Sequence, residues 1–349
     1  MKRLKIAIVS ICILLLIALV GCSQSSGSQT TSGAAATQSK QKITLNWVTF
    51  QPAKHPEVNR MKEVFMKKIN EKTNGQVEVV WKGGPELMNS SDMGLAVQRG
   101  TIDIATIFVG AYEGVVPGVG AWSFTELTPD EERKPGGAVD YFEELHKKAG
   151  LKYLGRNQPQ KDSVFYTFLK DKKPQKKEDF ANMVIGTSGS VYAGAIRGWG
   201  GKPENVRSTE NYTALERGVV EGINAQPLEG AHANGWTKLV KYIIDLPYHQ
   251  SPGVFIMNLD KWNKLPKNVQ DAITQAMIEG EKENMVMRDE INKKVKEQIM
   301  KEDGVEFYKL PPDIAKWYLD IAVNSAWDDA MKKFPEVTGK LRELITKKN

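Results

Sequence analysis

The chain has 349 residues, 41% hydrophobic and 26% charged, with a formal net charge of +6. This is a globular composition, and 30 Gly and 16 Pro exclude a collagen-like or Pro-rich protein. Its two cysteines, Cys12 and Cys22, have no metal-ligand spacing to each other or to His55, His146, His232 and His249, which excludes a disulfide framework and a zinc site.

Lys2, Arg3 and Lys5 precede an apolar run from Ile6 to Val20. That run is shorter than the roughly 20 residues a helix needs to cross a bilayer, so 1–21 reads as a signal peptide. The sequence Leu19-Val20-Gly21-Cys22 resembles the lipobox of bacterial lipoproteins. The resemblance implies cleavage before Cys22, acylation of its thiol, and a mature protein held at the cell surface or in the periplasm by a lipid anchor. Loss of Lys2, Arg3 and Lys5 takes the charge from +6 to +3. With no Lys/Arg block interleaved with aromatics, a nucleic-acid partner is not expected. Residues 22–42 form a Ser/Thr/Gly/Gln tract too polar to fold, a leash with an end-to-end distance of about 25 Å.

Strand-like and helical segments then alternate. Ile43, Leu45 and Trp47 have period two, and Val58, Met61, Phe65 and Ile69 recur at helical spacing before Asn74-Gly75. A strand is expected over 77–81, a helix over 87–97, a strand over 102–108, a helix over 141–148 and a strand over 151–154. This β-α-β-α-β order argues for an α/β protein with a largely parallel sheet. Strands at 164–169 and 183–187, helices at 191–199 and 209–217, and strands at 219–224, 242–246 and 253–258 repeat the pattern. From about Pro266 to Glu302 the apolar positions Val269, Ile273, Met277, Val295 and Ile299 continue without a Pro. A helix of that length, about 55 Å, exceeds one small domain and must run across two. A strand at 305–308 and helices at 312–334 and 340–345 complete the chain.

Four segments in order resemble the solute-binding proteins of tripartite ATP-independent periplasmic (TRAP) transporters, the DctP-like family. They are Thr73-Asn74-Gly75-Gln76-Val77-Glu78-Val79, Ala96 to Ala105 (AVQRGTIDIA), Asn211 to Gly222 (NYTALERGVVEG), and Trp262-Asn263-Lys264-Leu265-Pro266 with its long following helix. The resemblance implies a two-lobe periplasmic-binding-protein-like fold with the long helix spanning both lobes. Lobe I is expected at 43–163 and 251–290, and lobe II at 164–250 and 291–349. It implies a receptor that captures a small organic solute between the lobes and delivers it to a TRAP-type membrane permease.

Such proteins usually hold a carboxylate with an Arg in a strand of the form Lys-Ile-Arg-Val-Pro, whose planar fork donates two parallel hydrogen bonds. Here the stretch aligned on Glu178-Asp179-Phe180 is Met183 to Ser188, and Gly186 stands at the Arg position. A second family Arg falls near Tyr166. Arg156, at a strand end, is the expected replacement cation, and Gly186 is expected to leave room for ligand, with Thr187 and Ser188 as hydroxyl donors to it. Gly222-Ile223-Asn224-Ala225-Gln226-Pro227 corresponds to the family's Asp-Gly-Gln-Glu-Asn-Pro, which makes Gln226 and then Asn224 the expected amide contacts. Trp47, Gln51, Phe108, Tyr192 and Trp199 are further candidates, and they make an aromatic or neutral ligand an alternative to a carboxylate.

No catalytic constellation is present in the sequence. Gly186 to Ser190 is not the Gly-x-Ser-x-Gly elbow, and Gly114 to Gly120 lacks the Lys-Ser/Thr of a phosphate loop. The expectation is therefore a binding protein, not an enzyme, without metal or cofactor; the alternative is an enzyme or ligand sensor on the same two-lobe fold.

Overall fold

The computed structural model describes residues 42–159, 162–188, 192–250 and 253–347. The expected signal peptide, Cys22 and all of the leash but Lys42 lie outside them. Among the described residues no helix is long and apolar enough to cross a membrane.

Eleven strands are described: β1 Ile43–Thr49, β2 Val77–Gly83, β3 Ile104–Phe108, β4 Leu151–Arg156, β5 Tyr166–Leu169, β6 Val184–Thr187, β7 Lys202–Asn205, β8 Gly222–Gln226, β9 Tyr242–Ile244, β10 Gly253–Asn258 and β11 Glu306–Tyr308. They form a five-stranded sheet in the order β2-β1-β3-β10-β4 and a six-stranded sheet in the order β11-β9-β5-β8-β6-β7. Each sheet is the centre of one lobe.

Alternation builds both faces of the first sheet. Leu45, Trp47, Ile104, Phe255 and Met257 point into one core with Phe65 and Met61, while Val48, Ala105, Ile107, Val254 and Ile256 point into another with Trp122 and Phe142. The second sheet repeats this, with Phe165, Ile185, Ala225 and Ile244 on one side and Phe168, Ile223 and Ile243 on the other. With both faces covered, these strands read as short, nearly continuous apolar runs.

The sheets are less parallel than the sequence order suggests. β10 is antiparallel to both β3 and β4, and β5 is antiparallel to both β8 and β9. The reason is that two of the strand-to-strand connections change lobes. The chain leaves the first sheet from β4 to enter the second as β5, and returns from β9 as β10. The two connections run side by side: Val164 N donates to His249 O at 2.8 Å, Tyr248 N to Phe165 O at 3.0 Å, and Asn157 N to Gly253 O at 3.0 Å.

The helix expected from Pro266 is one helix, Lys267–Glu302, of 36 residues. Val269, Ile273, Ala276 and Met277 pack into the first lobe, and Val295 and Ile299 into the second. Its middle carries buried polar side chains that fasten the connections. Glu281 accepts from Arg156 N at 2.6 Å and from Arg133 Nε at 2.9 Å, and Asn284 Nδ2 donates to Asn157 O. Gly155 makes room for this: it has φ 154°, and a Cβ there would lie 2.8 Å from Glu281 Oε1.

A second helix, Pro312–Lys333, also bridges the lobes, with Ile314, Tyr318 and Ala322 in the second core and Ala326 and Trp327 in the first. Leu341 and Ile345 of the helix Pro335–Ile345 pack in the first lobe, although their sequence position groups them with lobe II. Their apolar stripe decides the packing, and it can do so only after the bridging helix has carried the chain back across.

Candidate functional site at the seam between the lobes

The strand ends of the two sheets meet. Phe108 closes β3 in the first sheet yet packs against the second-lobe core. Gln226 closes β8, and three residues later Glu229 is paired with Arg60 of the first lobe. Open α/β sheets bind ligands beyond the carboxyl ends of their strands, and this seam occupies that position.

Asn224 is fully buried on β8. Its Oδ1 accepts from Thr167 Oγ1 at 2.7 Å and from the Tyr248 hydroxyl at 2.6 Å, and its Nδ2 has no partner. Gln226, 9% exposed, donates from Nε2 to Asn224 O at 3.5 Å. Ala225 between them has φ 56°, a left-handed conformation that costs a residue with a Cβ free energy and is held where surrounding structure imposes it. Tyr166 pairs with Gln226 across β5 and β8, and burial pushes its hydroxyl up to about 12.

Thr187, at the end of β6, is buried with Oγ1 unpartnered. Gly186 beside it gives no open space on its Cβ side, because a Cβ would meet Val206 Cγ2 at 3.3 Å and Val220 Cγ1 at 3.4 Å in the second core. Tyr192 is buried with its ring edge-on to Phe165, and burial drives its pKa well above the usual phenol value, offset in part by the Ser123 hydroxyl of the first lobe.

Other expected residues lie away from the seam or are already engaged. Trp47 is in the first core, donating to Thr106 Oγ1 at 2.7 Å, and Trp199 stacks on Tyr318 at 4.4 Å in the second. Trp47 lies within β1 and Trp199 follows the helix Ala193–Gly198, and both rings face inward. Gln51 is half-buried, its carbonyl accepting from Thr49 Oγ1 at 2.7 Å. Arg156 is not an exposed strand-end cation. It is fully buried, with one nitrogen on Glu132 Oε1 at 3.1 Å and another on Gln250 Oε1, while Nε has no partner. Burial pushes the Glu132 carboxyl up to about 7, against the pull of Arg156 and Thr125.

Two parts of the seam escape the sequence reading. One is the connection Tyr248-His249-Gln250, whose His enters that reading only where a zinc site is excluded. Its position between two strand-like runs is the available signal. The other is a buried ion cluster. Arg60 Nη1 and Nη2 meet Glu229 Oε1 and Oε2 at 3.0 and 2.8 Å; Arg60 also contacts Glu57, and Arg288 Nη1 meets Glu57 Oε2 at 2.7 Å. Glu57 and Arg60 come from the helix Pro56–Met61, Glu229 from Leu228–Ala233 and Arg288 from the long helix. Burial alone would raise the Glu229 pKa, but Arg288 and Arg60 hold it below the usual carboxylate value.

Two α/β lobes, two antiparallel connections and bridging helices define a two-lobe solute-binding fold. The model of the bacterial extracellular solute-binding proteins, family 7 (DctP), matches residues 47–333, and the chain belongs to that family. An uncharacterized protein of Haemophilus influenzae is 25% identical over 221 residues, 62% of this chain and 66% of that protein, just under two thirds of its length. Among solved structures, the Bordetella pertussis DctP7, an extracytoplasmic solute receptor binding pyroglutamic acid, superposes with a TM-score of 0.74 at 18% identity, covering 87% of this chain and all of that one. A TRAP periplasmic solute-binding protein from Haemophilus influenzae with bound L-gulonate gives 0.72 at 21% identity, over 87% of this chain and all of that one.

Proposed function

We propose that this protein is the extracytoplasmic receptor of a TRAP-type transporter, capturing one small organic solute at the seam and delivering it to the membrane permease. The observation that carries the reading is the seam itself, where strand ends of both lobes come together beside buried polar atoms with no protein partner, Asn224 Nδ2, Thr187 Oγ1 and Arg156 Nε. Buried polar groups are nearly always paired, so a cluster of unpaired ones between two lobes suits a bound solute. Gln226, Asn224, Thr187, Tyr166, Tyr192 and Phe108 are the proposed contacts, and lobe closure buries the solute on several sides. The structural relatives that bind pyroglutamic acid and L-gulonate support a small organic acid as the class.

The receptor acts without catalysis. A screen of small organic acids by thermal shift should find a compound that raises the melting temperature and is recovered unchanged by mass spectrometry; conversion of that compound would sink the reading. Gln226→Ala should weaken its binding about tenfold, the usual loss for one hydrogen bond, with unchanged melting of the free protein. Equal affinity would remove Gln226 from the site.

Acylated Cys22 is the proposed tether. Two acyl chains anchor stably where one binds only marginally. Cys22→Ser should release the protein from the membrane fraction, and continued sedimentation with membranes would exclude the anchor.

A further inference from the structure

We propose that His249 is a ligand-reading residue of the seam, and that the solute it reads carries a planar ring bearing a hydroxyl or N–H group. The proposal rests on the solute-receptor reading above and narrows it to a chemical class.

His249 lies on the connection between β9 and β10 and is 6% exposed. Both of its ring nitrogens lack a hydrogen-bond partner. The other three histidines differ: His55 Nδ1 accepts from Glu57 N at 3.2 Å, His146 bonds the Tyr112 hydroxyl and Phe142 O, and His232 meets Asp303 at 3.0 Å. Among the described residues no group of acidic, His and Cys side chains could hold a metal. A buried imidazole with two idle nitrogens is costly, which points to a partner that the protein does not supply.

The surroundings describe that partner. The imidazole centroid is 4.7 Å from the Phe124 ring of the first lobe, and 5.9 and 5.4 Å from the Tyr192 and Tyr248 rings of the second. It is therefore touched from both sides of the seam, and these faces and edges suit a flat ring. Its backbone is left-handed, φ 53°, and is fixed by the bond from Val164 N to His249 O. Such strain in a residue with a Cβ is characteristic of positions held for function. Burial keeps the ring neutral, so it offers one donor and one acceptor, which match a hydroxyl or N–H better than a carboxylate. The nearby guanidinium of Arg156 is engaged by Glu132 and Gln250.

Calorimetry on the intact protein with 4-hydroxybenzoate, benzoate, pyroglutamate and D-glucuronate tests this. The wild type should bind 4-hydroxybenzoate at least about tenfold more tightly than benzoate, since only the former offers a hydroxyl. In His249→Asn, which tolerates the left-handed backbone but withdraws the ring, the ratio should fall toward one. His249→Phe, which keeps a ring without nitrogens, should behave alike; should it fail to fold, His249→Asn decides. Equal affinities in the wild type, or a ratio preserved in His249→Asn, would overturn the role of His249. No binding of either aromatic acid would overturn the ligand class, and binding of pyroglutamate or D-glucuronate in that case would leave the receptor reading standing alone.

Discussion

Replacing Glu229 with Ala is expected to open the protein without unfolding either lobe. In the cluster Glu57, Arg60, Glu229 and Arg288, two carboxylates face two guanidinium groups, with side chains no more than 10% exposed. Glu229 is the contribution of the helix that follows β8. Its removal leaves Arg60 and Arg288 converging on Glu57, an uncompensated positive charge in a poorly solvated place. Breaking a buried ion pair from one side costs about 3–5 kcal/mol, because the remaining charge has lost its partner. The pair joins the lobes, so the cost falls on the closed arrangement.

Small-angle scattering should show a larger radius of gyration for Glu229→Ala, and solute affinity should fall about a hundredfold, on the scale of tenfold per 1.4 kcal/mol. Far-UV circular dichroism should be unchanged. The double variant Arg60→Ala/Glu229→Ala should lose less than the sum of the single changes, since it removes the stranded charge with its partner. Unchanged scattering and affinity in Glu229→Ala would show that the cluster does not hold the lobes together.

Acid is the second strong perturbation. Burial lowers the pKa of His146 to about 4 and that of His249 to about 3, from the ordinary 6.5. A histidine whose folded pKa is depressed stabilises the fold fully above its unfolded value and loses that contribution as pH falls below it. Glu132 has the opposite sign. Its pKa is raised to about 7, so protonation between pH 7 and 4.5 relieves a buried charge and stabilises the fold. Glu229, held below the carboxylate range, adds a loss at still lower pH.

A pKa displaced by one pH unit is worth about 1.4 kcal/mol, so the two histidines outweigh Glu132 by about 3 kcal/mol between roughly pH 6.5 and 4. Urea unfolding at those two pH values should show that loss, and His146→Phe should flatten the curve. A fold equally stable at both would contradict the histidine assignments.

Much of the fold is legible along the chain. Period two in Ile43 to Trp47 and helical spacing from Val269 to Ile299 are local patterns, and they appear as β1 and the long helix. β7, Lys202–Asn205, is not legible, because a polar edge strand carries no apolar alternation. The short helix Leu228–Ala233 leaves no periodic trace over six residues either.

Local residue patterns are enough to establish the α/β class and the helix long enough to bridge two lobes, while Gln226 and Asn224 on β8 become candidates only through the family resemblance. Which residues meet at the seam is settled by packing in three dimensions. Trp47 and Trp199 turn into cores, Arg156 is engaged by Glu132 and Gln250, and His249 stands between Phe124 and Tyr192. Periodicity records which face of an element is buried. It holds no record of the partner on the other side, and the 169 residues separating Arg60 from Glu229 are brought together only when both lobes pack on the same bridging helix.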